Sequence, residues 1–285
     1  MHDDTALPLI QPTPGPWNLK ADSAWSFFTS LLHKPKHGKA LSASYFSDLD
    51  TNLRQVSSEQ GSFRGGAGVV TILRYTDSPI GPYDELMIIP GEFTNPSGAR
   101  LPRITRIFVS TLESVYNGRR NWNFPKELAK FTFTPSPTVS GATEVRVFSA
   151  TSYSPVAYAS APFFSIRIKP VMRPLPAIRI NSKYLPRVSI TFVQPPIDAS
   201  ADSAEDCRVG TNKWRMFDTS DYSGSVRPVR WEGLLEDDDP ASKKRKKRMA
   251  NGKEFPDVMP YSVGIHFSNV ALRLPVGTVP GSGSH

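Results

Sequence analysis

The chain has 285 residues, of which 39% are hydrophobic and 21% are charged, fractions that are ordinary for a globular protein. Its formal net charge is +8, but the run from Lys243 to Arg248 supplies six of these charges and leaves the rest of the chain at +2. The excess is local and does not indicate a nucleic-acid-binding surface. The single cysteine, Cys207, excludes an intramolecular disulfide bond and a cysteine-based metal site.

The N-terminal forty residues predict loops and one short helix. Asp22 is a candidate N-cap, and Trp25, Phe28 and Leu32 follow it at helical spacing. The first residues are acidic and lack an apolar segment, so no signal peptide is predicted. No apolar stretch approaches the roughly 20 residues of a membrane helix. We therefore expect a cytoplasmic protein without a membrane partner.

The next segments predict strands. The sequence GSFRGGAG, residues 61–68, lacks the Gly-Lys-Ser/Thr ending of a phosphate loop, and it predicts a tight turn or bulge entering the strand VVTILRY. The segments 83–91 and 103–111 also read as strands, and Asn117-Gly118 reads as a turn. Lys126 is then expected in a short helical turn or a bend after Pro125.

The remaining chain predicts many short strands separated by prolines, of which the sequence has 27. This pattern favours a mainly β (α+β) fold with a large, closed or strongly curved antiparallel sheet. The later strand candidates are residues 131–135, 144–150, 163–170, 177–181, 187–193, 213–218, 226–231 and 262–275.

One segment, residues 234–254, interrupts the strand pattern with an acidic block followed by the basic run. It predicts an exposed, mobile, charged loop within a single domain that spans residues 1–280, with residues 281–285 as a flexible tail. A nuclear-localisation signal at Lys243 to Arg248 is a less favoured interpretation. Nucleic-acid binding is not predicted, because no aromatic residues are interleaved with the run.

Two kinds of catalytic centre find no support in the sequence. His33 and His37 stand four residues apart, but Pro35 between them breaks the helix that such a metal-binding pair requires. No Gly-x-Ser-x-Gly motif of a serine hydrolase occurs. Neither a metal site nor a serine triad is therefore predicted.

Lys126 is the candidate nucleophile. It follows a proline and lies in sequence among Trp122, Phe124, Leu128 and Phe131. Apolar surroundings disfavour the ammonium form and lower the pKa of a lysine, and a neutral amine forms a Schiff base with a ketone or aldehyde. The alternative is a surface lysine whose stem lies on apolar neighbours.

Three segments resemble, in order, the core of the acetoacetate decarboxylase family. Residues 74–91 contain Ser-Pro-x-Gly-Pro-Tyr-x-Glu, residues 103–111 form the next strand, and residues 117–131 contain Gly-Arg and then Pro-Lys followed by Leu-Ala. Residues 264–275 resemble the closing strands of the family more loosely. The resemblance implies a cone-shaped antiparallel β-barrel with a few short helices and an internal cavity, usually in a homo-oligomer.

The resemblance also implies roles for individual residues. Lys126 takes the position of the Schiff-base lysine, and Glu85 lines the same cavity and moves protons or orients the substrate. Arg119 either binds substrate in the cavity or pairs with a buried acid and braces the loop of Lys126. Trp122, Phe124 and Tyr83 are expected to contact the substrate, although Tyr83 also reads as a packing residue. No cofactor is needed, because the imine is itself the electron sink.

Two positions depart from the family pattern. Glu127 stands where the family has a second lysine, and its carboxylate favours the ammonium form of Lys126 unless it faces away. The only arginine before Gly61 is Arg54, whose surroundings do not match the family's carboxylate clamp.

The sequence therefore predicts a lyase-type enzyme that forms a Schiff base with a small-molecule carbonyl compound, either a keto acid or a polyketide-like metabolite. Its chemistry would be decarboxylation, or aldol reaction and dehydration. The alternative is a protein that binds an apolar metabolite in the same cavity without covalent chemistry, or that folds it for cyclisation.

Overall fold

A computed structural model describes residues 10–33, 41–50, 61–171, 176–184, 190–197, 207–236 and 247–280. Five features of the sequence lie wholly or partly outside these residues: His37, Arg54, residues 187–189 of the strand candidate at 187–193, the middle of the charged segment at residues 237–246, and the tail at residues 281–285. No helix in the described part of the chain has the length and apolarity needed to cross a bilayer.

The described chain contains fifteen strands and one α-helix. The strands are β1 (Trp17–His33), β2 (Phe63–Asp77), β3 (Tyr83–Ile89), β4 (Glu92–Thr94), β5 (Arg100–Pro102), β6 (Arg106–Val109), β7 (Lys126–Pro135), β8 (Thr143–Tyr153), β9 (Val156–Tyr158), β10 (Phe164–Pro170), β11 (Ile178–Asn181), β12 (Thr191–Gln194), β13 (Arg215–Asp218), β14 (Tyr222–Gly233) and β15 (Val263–Leu274). The α-helix is α1 (Leu112–Trp122), and short 3-10 helices span Ala43–Tyr45 and Ser182–Tyr184. The strand predictions at and after residue 83 are confirmed, with shifted ends.

Nine strands close into a barrel. Their order is β1-β15-β14-β10-β8-β7-β6-β3-β2, and β1 also pairs with β2 to complete the ring. The predicted closed, mainly β fold is confirmed. The expectation of a purely antiparallel sheet is wrong at one place, because β6 and β7 run parallel. A parallel pair needs a long crossover, and α1 forms that crossover.

Strand β1 corrects the N-terminal prediction. Residues 22–32 do not form a helix capped by Asp22; they lie in a strand that pairs with β2 on one side and β15 on the other. Both faces of β1 are apolar, since Trp25 packs in an outer core while Phe28 lines the interior cavity. Apolar residues on both faces hide the alternation that identifies a strand.

The charged segment at residues 234–254 is not exposed over its whole length. Leu235 and Arg248 form a backbone bridge, and Met249 and Ala250 are fully buried. These two residues pack with Phe164 in the core that covers the outer face of the barrel. The prediction of an exposed loop is therefore wrong for its C-terminal end.

The glycine-rich stretch at the start of β2 forms a bulge, as predicted. Gly65 and Gly66 have φ angles of 82° and 97°, and the pairing of β2 with β4 shifts register beside them. Gly91, with φ of 143°, passes so close that an added Cβ would lie 2.2 Å from the carbonyl oxygen of Gly65. Both the angle and the contact require glycine at position 91.

We expect Gly91→Ala to destabilise the protein by more than about 3 kcal/mol, because a strained φ alone costs about 1–3 kcal/mol and the contact with a backbone oxygen adds to it. Gly98→Ala is the matched control: its φ is 81°, but an added Cβ would meet nothing within 4 Å. Urea denaturation of both variants measures the difference. Equal losses would show that the close approach at Gly91 contributes nothing.

Candidate active site

Lys126 projects from the first residue of β7 into the barrel. The backbone N–H of Lys126 donates a hydrogen bond to the carbonyl of Phe124 at 2.7 Å. Of the two predicted conformations, the chain therefore forms the bend and not the helical turn before the strand. The interior cavity has a volume of about 440 Å³, and Lys126 and Glu85 both line it. Glu85 lies on β3, and β6 runs between β3 and β7 in the sheet.

The amine of Lys126 is buried and has two polar partners. Its Nζ lies 3.0 Å from Oε2 of Glu85 and donates to Oγ of Ser114 at 2.9 Å. The rings of Tyr83 and Phe124 have their centroids 5.1 and 5.6 Å from Nζ. Only 2% of Lys126 and 4% of Glu85 are exposed, so this ion pair is shielded from water.

Burial lowers the pKa of Lys126, because desolvation penalises the ammonium form. The carboxylate of Glu85 acts in the opposite direction, through its charge and its hydrogen bond, and the net direction is downward. A buried pair at this distance can exchange a proton and become a neutral amine beside a carboxylic acid. The protonation state therefore belongs to the pair and not to either residue alone.

Two tyrosines extend the polar network from both members of the pair. The hydroxyl of Tyr75 lies next to Glu85, and that of Tyr83 lies next to Ser114. Burial, followed by the charge of Glu85, raises the pKa of each tyrosine well above its ordinary value, so both keep their hydroxyl protons. Neither Tyr75 nor Ser114 belongs to a local sequence motif, so neither was predicted as a site residue.

Helix α1 leaves space for the side chain of Lys126. Thr111 caps it by accepting a hydrogen bond from the N–H of Ser114 at 3.3 Å. Ser114 and Gly118 are one turn apart and share a face of the helix. A Cβ on Gly118 would lie 2.5 Å from Cδ of Lys126, so the glycine leaves room for the lysine stem. The predicted turn at Asn117-Gly118 is therefore wrong, since both residues are helical.

Arg119 lies behind the site and does not line the cavity. Its Nη1 is 3.0 Å and its Nη2 is 2.5 Å from the two carboxylate oxygens of Asp50, and both side chains are buried. Nη1 also lies 3.4 Å from the carbonyl oxygen of Lys126. The placement of Arg119 against the substrate is wrong, and the alternative of a brace paired with a buried acid describes what is observed.

Glu127 faces away from Lys126, as alternation along a strand requires. Its Oε1 lies 3.5 Å from Nη2 of Arg106, and its carboxyl lies next to Ser47. Burial raises the pKa of Glu127, and Arg106 acts against that shift. The carboxylate of Glu127 is therefore compensated by Arg106, on the face of β7 opposite Lys126.

Aromatic and aliphatic side chains form most of the cavity wall. Trp122 and Phe124, both predicted to contact substrate, line it together with Tyr83. Trp122 donates from Nε1 to the carbonyl of Pro275 at 2.7 Å, which fixes its ring. The other lining residues are Trp17, Leu19, Ala24, Ser26, Phe28, Val69, Thr71, Leu73, Tyr75, Met87, Ile89, Ile104, Ile107, Ile190, Phe192, Phe217, Thr219, Tyr222, Phe267, Val270, Leu272 and Leu274.

No group of three or more His, Cys, Asp or Glu side chains suited to a metal ion occurs in the described ranges. The chemistry that the cavity can perform with its own residues is proton exchange between Glu85 and Lys126, and attack by the neutral amine on an electrophile.

Comparison with known proteins gives matches in structure but not in sequence. No protein-family model matches the chain, and no curated protein matches it. The solved structure of acetoacetate decarboxylase from Legionella pneumophila subsp. pneumophila str. Philadelphia 1 is 16% identical, with a TM-score of 0.51 over 93% of this chain and 87% of that one. Another acetoacetate decarboxylase structure is 12% identical, with a TM-score of 0.53 over 98% and 97%.

At these identities the likeness concerns the backbone and not the activity. It covers nearly the whole length of this chain. The chain therefore has the fold of these solved acetoacetate decarboxylases.

Proposed function

We propose that this protein is a lyase-type enzyme that forms a Schiff base between Lys126 and a small-molecule carbonyl compound. The observation that carries the proposal is the buried Nζ of Lys126 at 3.0 Å from a carboxylate that lines the same apolar cavity. Desolvation favours the neutral amine, and Glu85 is placed to receive the proton that the ammonium must lose.

The proposed reaction begins with transfer of one proton from Lys126 to Glu85. The neutral amine then attacks the carbonyl carbon, and a proton moves from its nitrogen to the carbonyl oxygen to give a carbinolamine. Glu85 returns its proton to the hydroxyl group, which leaves as water. Lysine ammonium and ketone thus become iminium and water, with the carboxylate restored and the charge conserved.

The iminium then accepts an electron pair from an adjacent C–C or C–H bond. Loss of carbon dioxide, cleavage of a β-hydroxy carbonyl compound by retro-aldol reaction, or loss of a proton to Glu85 each gives an enamine. Retro-aldol cleavage also transfers the hydroxyl proton to Glu85 and releases an aldehyde. Protonation of the enamine and addition of water return the ketone and the free lysine, so no cofactor is needed.

The residues around the pair have supporting roles in this proposal. Tyr75 orients the carboxyl group of Glu85, and Ser114 orients the amine of Lys126. Tyr83, Trp122 and Phe124 contact the substrate and keep water out. The predictions of a homo-oligomer and of a cytoplasmic location stay predictions.

The second candidate is non-covalent binding of an apolar metabolite, or its folding for cyclisation, in the same cavity. One observation favours it: Glu85 and Ser114 already satisfy the ammonium form of Lys126. A lysine held in this way can line one end of a binding pocket without reacting with the ligand.

Reductive trapping distinguishes these two candidates. We expect incubation with an aromatic aldehyde and cyanoborohydride to place a stable adduct on Lys126, detected by peptide mass analysis, because the reagent reduces the iminium. Lys126→Met should lose this adduct. Lys130→Met is the matched control, since Lys130 is exposed farther along the same strand and its loss should leave the Lys126 adduct unchanged. Tight ligand binding without an adduct would favour the non-covalent candidate.

Replacement of Glu85 by glutamine tests the role of the carboxylate. Its charge and hydrogen bond raise the pKa of Lys126, so Glu85→Gln should move the rising limb of the pH profile of trapping to lower pH. The maximal trapping rate should fall by about 10²–10⁴-fold, because the proton acceptor and donor is lost. An unchanged pH profile and rate would contradict the proposed role.

The glycine in α1 should control the position of the amine. Gly118→Ala places a methyl group against the lysine stem, and displacement of a reacting group by about 1 Å costs on the order of 10²-fold in rate. We expect trapping to slow by at least about tenfold while circular dichroism shows a folded protein. Glu113→Ala is the control, because Glu113 lies on the exposed face of α1. Equal trapping by both variants would contradict this account of Gly118.

A further inference from the structure

The charge of the cavity is balanced before any substrate enters. Among the described residues that line it, Lys126 and Glu85 are the only side chains with an ordinary charge at neutral pH. They lie 3.0 Å apart and compensate each other. When Lys126 becomes an iminium it keeps one positive charge, so a neutral carbonyl compound leaves this balance unchanged.

A carboxylate on the substrate would disturb this balance. It would bring a second negative charge close to Glu85, among apolar side chains where an unpaired charge is disfavoured. Two buried arginines, Arg119 and Arg106, are turned away from the site. Arg119 binds Asp50 with both of its terminal nitrogens, and Arg106 contacts Glu127 on the opposite face of β7.

The cavity wall has a continuous aromatic face. Trp17 and Trp122 meet edge to face with centroids 5.0 Å apart, and Trp122 stacks on Phe124 at 5.8 Å. Phe124 meets Phe217 at 5.1 Å, and Phe217 stacks on Phe192 at 5.6 Å. These rings offer faces and edges to a planar apolar ligand. The cavity volume of about 440 Å³ lies within the range of about 300–1,000 Å³ that accepts drug-sized molecules.

We infer that the substrate is an uncharged ketone or aldehyde with an aromatic or similarly bulky apolar group, and not a keto acid. This inference rests on the proposed function and narrows it to one substrate class. A substrate without a carboxylate has no carbon dioxide to lose, so the reaction is aldol cleavage or addition, with dehydration where a β-hydroxyl is present.

Two aldehydes that differ by one charge test the inference. Methyl 4-formylbenzoate and 4-formylbenzoate have the same aromatic ring and the same position of the aldehyde. Each is incubated with the full chain and cyanoborohydride, and adduct formation on Lys126 is followed by mass analysis. Both rates are divided by the rates with Nα-acetyllysine, which removes the difference in intrinsic reactivity. We expect the ester to label Lys126 at least about tenfold faster than the acid.

Glu85→Gln gives an independent check on the cause of this preference. The variant removes the negative charge that opposes a carboxylate but retains the shape of the side chain. Both aldehydes should react more slowly, while the ratio of ester to acid should fall several-fold. An unchanged ratio would show that Glu85 does not cause the discrimination and would overturn this argument.

The outcomes separate the two levels of the proposal. Equal or faster labelling by the acid would overturn the substrate class and leave Schiff-base formation intact. Absence of any Lys126 adduct with both aldehydes would contradict the proposed function itself, and the substrate class with it.

Discussion

The burial of one amine against one carboxylate is the constraint on which the rest of the site depends. Lys126 and Glu85 are 3.0 Å apart and nearly inaccessible to solvent. Desolvation lowers the pKa of the lysine, while the carboxylate raises it. Neither effect alone would suit a nucleophile: an isolated buried amine lacks a proton acceptor, and a fully stabilised ion pair does not react. The pair combines a dry environment with a nearby site for the departing proton.

The scaffold holds this pair through one irregular part of the barrel. The parallel pairing of β6 and β7 requires a crossover, and the crossover helix supplies Ser114 as a partner and Gly118 as open space for the lysine. The buried pair of Arg119 and Asp50 joins this helix to the segment at residues 41–50 and reaches the backbone of Lys126. The positions of these groups are thus set by the fold behind the cavity and not by contacts with a ligand.

Much of the fold could be predicted from sequence because short β-branched segments between prolines determine strands locally. Strand β1 could not be predicted, because both of its faces are apolar. In addition, Trp25, Phe28 and Leu32 recur at the spacing of a helix. Lys126 was identifiable from its apolar neighbours and the Pro-Lys motif. Tyr75 was not, because its contact with Glu85 depends on the pairing of β2 with β3 and leaves no local signal.

The central claim concerns the ionisation of a single amine, and it can be measured without any substrate. A ¹³C NMR titration of the lysine Cε resonances, with Lys126 assigned by comparison with Lys126→Met, reports that ionisation directly. We expect a midpoint for Lys126 below the ordinary lysine pKa and below the midpoints of the exposed lysines. A midpoint equal to or above those of the exposed lysines would show that Glu85 outweighs burial, and it would contradict the account.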